Sequence, residues 1–158
     1  MHAMRRKERQ MSGEDTLRVL QEGVFGVLSL LTPEGTPYGI PLTYAVRDGQ
    51  RLSLYIHCAR EGRKLDCLHA GGAAHFVVVG ATHVVPEKFS IEYESVMLEG
   101  SLSEVTDEAE KRQGLLCIAE KYSAGFDGAA CADAAGKATR VLRFDVESMS
   151  GKRLRETS

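Results

Sequence analysis

A mainly antiparallel β-barrel of Greek-key type is the fold that the sequence predicts, and three observations predict it. Short apolar runs rich in β-branched and aromatic residues recur along the chain, Pro and Gly turn signals separate them, and helical patterns are confined to ends and crossings. Interruptions within the strands disfavour a simple up-and-down barrel. The 158 residues suit a single domain over 1–158, long enough to bury a core without disulfides or metal.

The elements follow in order. Residues 14–22 carry Leu17 and Leu20 at helical spacing, with Ser12 as cap and Gly23 as stop. Residues 24–31 form a strand, which Thr32-Pro33-Glu34-Gly35 turns into a return strand over 38–46. Asp48-Gly49 marks a second hairpin, after which Leu52, Leu54 and Ile56 alternate with Ser53, Tyr55 and His57, the period of a strand with one buried face. Residues 61–70 have Leu65 and Leu68 spaced for a short helix that Gly71-Gly72 closes. Residues 74–79 read as a core strand, and 83–90 as a less regular stretch in which Pro86 interrupts any ladder. Over 93–105, Val96, Leu98, Gly100 and Leu102 share one face of a long strand. Thr106 caps a helix over 107–122 with Leu115, Ile118 and Ala119 as its stripe. Residues 124–137 fit either a loop or a loose helix, and 139–146 form the last strand.

Composition excludes several functions. Lys and Arg total 20 against 22 Asp and Glu, so no global positive field recruits nucleic acid. The longest apolar runs fall far short of the roughly 20 residues that span a membrane. The N-terminus is basic but leads into polar residues, unlike a signal peptide, so a cytoplasmic location is expected. There the four cysteines, Cys58, Cys67, Cys117 and Cys131, read as free thiols. Cys67 and His69 do not complete a zinc set. Ser29, Ser53 and Ser90 lack a Gly-x-Ser-x-Gly setting, and no Gly-x-Gly-x-x-Gly follows a strand, so neither acyl transfer nor a Rossmann-type nicotinamide site has support. His69, His75 and His83 have no nameable partner.

The most informative stretch is His57-Cys58-Ala59-Arg60-Glu61-Gly62-Arg63-Lys64-Leu65-Asp66. It places a strand end, a loop and two adjacent cations at the opening of a helix. Unpaired N–H groups there, a glycine that permits close approach, the Arg63 fork and the Lys64 point charge would together hold a phosphomonoester. A solvated pair of surface cations is the competing reading. Cys58 beside this loop is read as a buried, inert thiol.

In order and content, several motifs resemble the nitroimidazole-reductase-like branch of the pyridoxamine 5'-phosphate oxidase-related flavoproteins. They are Gly39-Ile40-Pro41-Leu42-Thr43-Tyr44, Leu54-Tyr55-Ile56-His57-Cys58-Ala59, Glu61-Gly62-Arg63-Lys64-Leu65-Asp66, Tyr93-Glu94-Ser95-Val96, and Leu142-Arg143-Phe144-Asp145-Val146. The resemblance implies a split β-barrel homodimer with FMN at the subunit interface and its phosphate on Gly62, Arg63 and Lys64. It implies that Ile40, Pro41, Leu42 and Thr43 lie along the isoalloxazine ring, that His57, Cys58 and Ala59 line the phosphate and ribityl arm, and that Tyr93 and Ser95 contribute from the second subunit. The chain departs from the pattern at Thr43, where the family often has Asn, and at Gly71-Gly72, where it often has Asn-Pro. The implied activity is an oxidoreductase in which a transiently bound NAD(P)H reduces the flavin, and the flavin reduces a small electrophilic or nitroaromatic acceptor. The alternatives are a non-catalytic flavin-binding or sensor protein, a split barrel holding deazaflavin or haem, and pyridoxamine 5'-phosphate oxidase activity itself.

Overall fold

The computed structural model describes residues 5–47, 49, 51–68 and 72–156. Seven strands form one antiparallel sheet: β1 (Gly26–Leu31), β2 (Pro37–Leu42), β3 (Ala45–Arg47), β4 (Ser53–Ala59), β5 (Ala73–Val85), β6 (Ser90–Glu104) and β7 (Thr139–Leu154). Among the described residues the helices are α1 (Gly13–Glu22), α2 (Arg63–Leu68), α3 (Glu108–Tyr122) and α4 (Gly128–Gly136).

The spatial order is β2-β1-β5-β6-β7-β4-β3. It puts β2 and β3 at opposite edges of the sheet, yet Thr43 and Tyr44 alone join them. So short a link spans about 10 Å at most, and the sheet must curl until its edges meet. The neighbours β1–β5 and β4–β7 are not consecutive in sequence, so the result is the expected Greek-key split barrel and not an up-and-down one.

Alternate residues of each strand fill the interior, where Phe76 sits between Tyr44 at 5.1 Å and Phe144 at 6.1 Å between ring centres. Helix α1 closes one end with Val19 and Leu20, and the Tyr44 hydroxyl donates to the Leu20 carbonyl at 2.6 Å. Ser12 caps α1 as expected, its Oγ accepting from the Asp15 N–H at 3.0 Å. The predicted turn after β1 is also present. Gly35 there has φ +78, and its N–H donates to the Thr32 carbonyl at 2.8 Å.

Several expectations are corrected. The return strand expected over 38–46 divides into β2 and β3, because the Tyr44 N–H donates to the Tyr122 hydroxyl at 3.0 Å and leaves the ladder as the chain changes partners from β1 to β4. Strand β4 is buried on both faces and not on one. Leu54 and Ile56 face the interior, while Tyr55 packs outward under α3 with Leu115, Ile118 and Val141. Gly114 permits that approach, since a Cβ there would stand 2.9 Å from Tyr55 Cδ1. Helix α3 is capped by Asp107 and not Thr106, with Asp107 Oδ1 accepting from the Glu110 N–H at 2.8 Å.

Residues 124–137 contain a helix, α4, whose cap Asp127 accepts from the N–H groups of Ala129 and Ala130 at 3.0 and 3.2 Å. Alanine loses no side-chain entropy in a helix, which sustains this short one. Strand β5 runs on to Val85 opposite Ser90, so Pro86 opens a turn without breaking a ladder. Strand β7 runs on to Leu154 along the first half of β6. Asp48 of the second hairpin signal, His69, and the helix end expected at 70–71 lie outside the described residues. No helix among the described residues is long and apolar enough to cross a membrane.

Candidate functional site

The barrel is closed over one part of the β2–β3 edge and open over the other. Strand β4 pairs with β7 along its whole length, but with β3 only from Ser53 to Tyr55. Among the described residues, strand β2 pairs with β1 alone. The end of β4 and the free edge of β2 are therefore the two lips of a slit, with its apex at Thr43 and His57. Pro41 stands opposite Val27 in the β1–β2 register. Proline has no N–H to give a ladder, so Pro41 turns its backbone away from β1, and with it Gly39 and Thr43, which share its side of the strand. The carbonyls of Gly39 and Pro41, and the Gly39 N–H, are thereby free of the β1 ladder. Those of Ile40 and Leu42 serve the β1 ladder, and their side chains pack against the core.

At the far end of the slit, Gly62 has φ +138, a conformation in which an L side chain is strained, and α2 begins at Arg63. The Arg63 guanidinium lies over the Tyr38 ring at 4.8 Å and so joins the start of α2 to β2. Among the described residues neither Arg63 nor Lys64 is in an ion pair. A hollow of about 260 Å³ at this loop is lined by Gly62, Arg60 and Arg140 but also by Glu61, Asp66 and Glu104. Arg140 already bonds both oxygens of Glu104 at 2.8 Å, so that hollow is not an anion site.

The two lips present different side chains. Cys58 is buried in the core, and burial pushes its thiol up despite Lys64 nearby. Ala59 is exposed at the strand end. His57 and Thr43 line one cavity of about 310 Å³ under α3 and α4, whose walls include Leu115, Ile118, Ala132 and Ala135. The Nδ1 of His57 is buried there without a hydrogen-bond partner among the described residues. Behind the apex, the Lys121 Nζ lies 3.9 Å from the Tyr44 ring centre, also buried without a hydrogen-bond partner, and burial lowers its ammonium to about 8. The Tyr122 hydroxyl accepts from the Tyr44 N–H and sits 2.7 and 2.8 Å from the Val24 and Tyr44 carbonyls, one of which takes its proton.

Tyr93 and Ser95 lie on β6, beyond β1 and β5 from the slit, and their own chain does not bring them to it. Between the two places runs an outward row set by register, Pro41–Val27–Val77–Met97. Val27 is 38% and Met97 42% exposed, with Val79 at 59% nearby.

Of the predicted residues, Thr43 and His57 share the cavity under α3 and α4, while Arg63 lies over Tyr38 and Gly62 borders the hollow beside Arg60 and Arg140. Sequence reasoning missed Tyr38, Tyr44, Lys121 and the α4 wall. Tyr38 shares the alternation of Ile40 and Leu42, and Asp127 followed by an alanine run was the available signal for α4. Lys121 stands in the last turn of α3, where a cation is ordinary, and nothing local announces its burial.

The family model for pyridoxamine 5'-phosphate oxidase matches residues 12–153. No curated protein matches the sequence. Among solved structures, a conserved hypothetical protein from Mycobacterium tuberculosis is similar at 16% identity, covering 99% of this chain and 96% of that one, with TM-score 0.81. A candidate 5-nitroimidazole antibiotic resistance protein from Bacteroides thetaiotaomicron matches at 20% identity over 96% of each chain, with TM-score 0.73. An FAD-binding protein from Mesorhizobium loti matches at 21% identity over 93% of this chain and 98% of that one, with TM-score 0.67.

Proposed function

The chain belongs to the pyridoxamine 5'-phosphate oxidase family, and from that premise we propose that it is a flavoprotein that binds FMN in the slit between β2 and β4. The observation that carries the reading is the free β2 edge running from Thr43 to Tyr38 and ending at Arg63, a cation outside any ion pair among the described residues. That edge is about 16 Å long at the rise of a strand, enough to lay a fused ring system and its ribityl arm end to end. The FAD-binding relative supports a flavin, and a single cation pair at the helix start suits one phosphomonoester.

In this reading Arg63 grips the phosphate with its fork and Lys64 adds a point charge. Gly62 allows the loop to approach closely. The Pro41 carbonyl and the Gly39 and Thr43 backbone groups meet the polar edge of the ring, which Ile40 and Leu42 support from the core side. His57 and Thr43 border the ring at the apex. Bound there, FMN would supply hydride transfer between a reduced nicotinamide and a small electrophilic or nitroaromatic acceptor.

A slit this shallow does not exclude water alone, so a second copy completes it. The Pro41–Val27–Val77–Met97 row is the face on which the copies pair. Tyr93 and Ser95 lie on the sheet that carries that row, from which the partner's Tyr93 and Ser95 reach the flavin.

Visible absorption of the purified protein, before and after addition of FMN and removal of the excess, tests the cofactor. Flavin bands retained near one per chain are expected, and a colourless protein that retains no added FMN overturns the reading. For the activity, NAD(P)H oxidation with 2-methyl-5-nitroimidazole should exceed the rate given by free FMN, and equal rates would reject that acceptor class.

A further inference from the structure

Helix α4 lies against α3 with open space on both sides of the seam. On one side is the cavity of about 310 Å³ that Thr43 and His57 also line. On the other is a hollow of about 420 Å³ bordered by Lys111 and Arg112 of α3 and by Asp133 and Lys137 at α4. Leu115 of α3 and Ala132 of α4 line both, so the packed seam is narrow. Ala132 is the one residue of α4 that is buried, and a single methyl group removes little apolar surface from water. Among the described residues one ion pair ties the two helices, Arg112 Nε to Asp133 Oδ1 at 3.0 Å, and both of its side chains are more than half exposed. Exposed pairs hold weakly.

The ends of α4 are as loose as its face. Gly128 opens the helix and Gly136 closes it. Packing requires neither glycine. A Cβ at Gly128 would stand 3.7 Å from the Ala119 Cβ, and one at Gly136 would stand 3.5 Å from Leu115 Cδ1, both ordinary contacts. Glycine at these positions instead widens the range of conformations open to the undocked chain. A helix this short is marginal in water without a surface to lie on, so undocking and unwinding are one event.

We propose that α4 is a lid, which undocks from α3 by local unfolding while the sheet stays folded, and so opens to solvent the cavity that Thr43 and His57 line. No strand has to move, because α4 stands between α3 and β7 in the chain and pairs with neither by a ladder. Its alanines serve both states, with strong helix propensity when docked and little burial to lose when not. Because Thr43 and His57 also stand at the apex of the slit, the lid sets how freely small molecules reach the ring end of the bound flavin. That last step rests on the flavin reading; the undocking does not.

Amide hydrogen exchange on the flavin-free full chain tests the undocking. Amides of residues 131–136 should exchange roughly a hundredfold faster than those of residues 115–121, at a rate nearly independent of low urea, as an opening that exposes little surface requires. Gly128→Ala with Gly136→Ala should slow that exchange about tenfold, since alanine in a compatible backbone narrows the undocked ensemble. Gly136→Ala alone should slow it about threefold, and serves if the double variant fails to fold. Exchange of α4 at the rate and urea dependence of α3 overturns the lid, and so does exchange that the alanines leave unchanged. On the FMN-loaded protein, quenching of flavin fluorescence by acrylamide should fall in the alanine variants, and equal quenching in wild type and variants overturns the control of access. A chain that retains no FMN rejects the flavin reading, while the exchange result decides the lid by itself.

Discussion

The guanidinium of Arg63 lies 4.8 Å over the ring of Tyr38. One residue opens α2 and the other lies on the edge strand β2, so this contact bridges the open end of the slit. It aims a cation that forms no ion pair among the described residues, although the Glu34 carboxylate is close enough to feel its charge. Replacing Arg63 and Lys64 together by Ala should weaken FMN binding at least a hundredfold, since charge-assisted bonds contribute of order 1.5 to 3 kcal/mol each. Tyr38→Leu should cost only a few-fold, the scale of an exposed cation–π contact of about 0.5 to 1 kcal/mol. Flavin fluorescence titration measures both, and unchanged affinity in the double variant removes the phosphate site.

Dimerisation and flavin retention should fail together. Met97→Asp places a charge at one end of the outward apolar row, on a residue that is 42% exposed in the single chain. Fold stability of the monomer should be nearly unaffected, because a side chain that exposed is not core. Sedimentation should show loss of the dimer, and the variant should retain less FMN. A Met97→Asp protein that remains dimeric would show that the copies pair elsewhere.

Gly114 sets the distance between α3 and β4. A Cβ there would stand 2.9 Å from Tyr55 Cδ1 and 3.1 Å from Val141 Cγ1. Tyr55 cannot easily yield, because it is fully buried and its hydroxyl accepts from Arg47 at 2.7 Å and donates to Glu110 at 3.0 Å. Alanine improves helix propensity by about 1 kcal/mol over glycine, which only partly offsets overpacking of about 1 to 3 kcal/mol. Gly114→Val should therefore lose more than Gly114→Ala in urea unfolding, and a Gly114→Val protein as stable as wild type would contradict the packing.

Glu110 responds to acid. Its carboxylate accepts from Arg143 at 2.7 Å and from the Tyr55 hydroxyl, and the bond to Arg143 holds its carboxyl below the ordinary value of 4.5. A lowered carboxylate stabilises the fold above the unfolded value and loses that contribution as pH falls through the folded one. Glu110→Gln should cost about 1 kcal/mol at pH 7, allowing for solvent screening of this half-exposed pair. The gap between wild type and variant should hold from pH 8 to about 5 and narrow below 4.5; a gap that widens in acid has the wrong sign.

Lys121 responds to base with the opposite logic. Burial lowers its ammonium from 10.5 to about 8. Between those values the unfolded chain holds a proton that the folded chain has released, so stability rises with pH. Below pH 8 both states are protonated and the penalty is constant. Near pH 10 the buried hydroxyls of Tyr44 and Tyr122, both pushed up, reverse the slope because the unfolded chain ionises first. Relative to Lys121→Met, wild type should gain stability from pH 8 to 10, and parallel curves in chemical unfolding would show the amine to be solvated.

Local pattern announced those elements whose cause is local. Ser12 capping α1, the Thr32–Gly35 turn and the alternation in β6 are each decided within a few residues, and each is present. The loop with Gly62, Arg63 and Lys64 belongs with them, because backbone freedom and charge are properties of residues. What stayed hidden depends on distant contacts. Tyr55 alternates with Leu54 and so reads as solvent-facing, until α3, more than fifty residues on, covers it. Lys121 and His57 are ordinary by sequence, and only tertiary packing buries their nitrogens.

The two-residue joint at Thr43–Tyr44 carries a consequence for the order of assembly. Among the described residues, β3 hydrogen-bonds within the sheet to β4 alone, and β4 is tied to the rest of the sheet through β7, which follows all the other described strands in the chain. Until then β2-β1-β5-β6 is an open sheet with exposed edges, and β3-β4 is an isolated hairpin, marginal in water. Closure therefore waits for β7, and a chain truncated before Thr139 would hold most of its hydrophobic residues without a barrel to put them in.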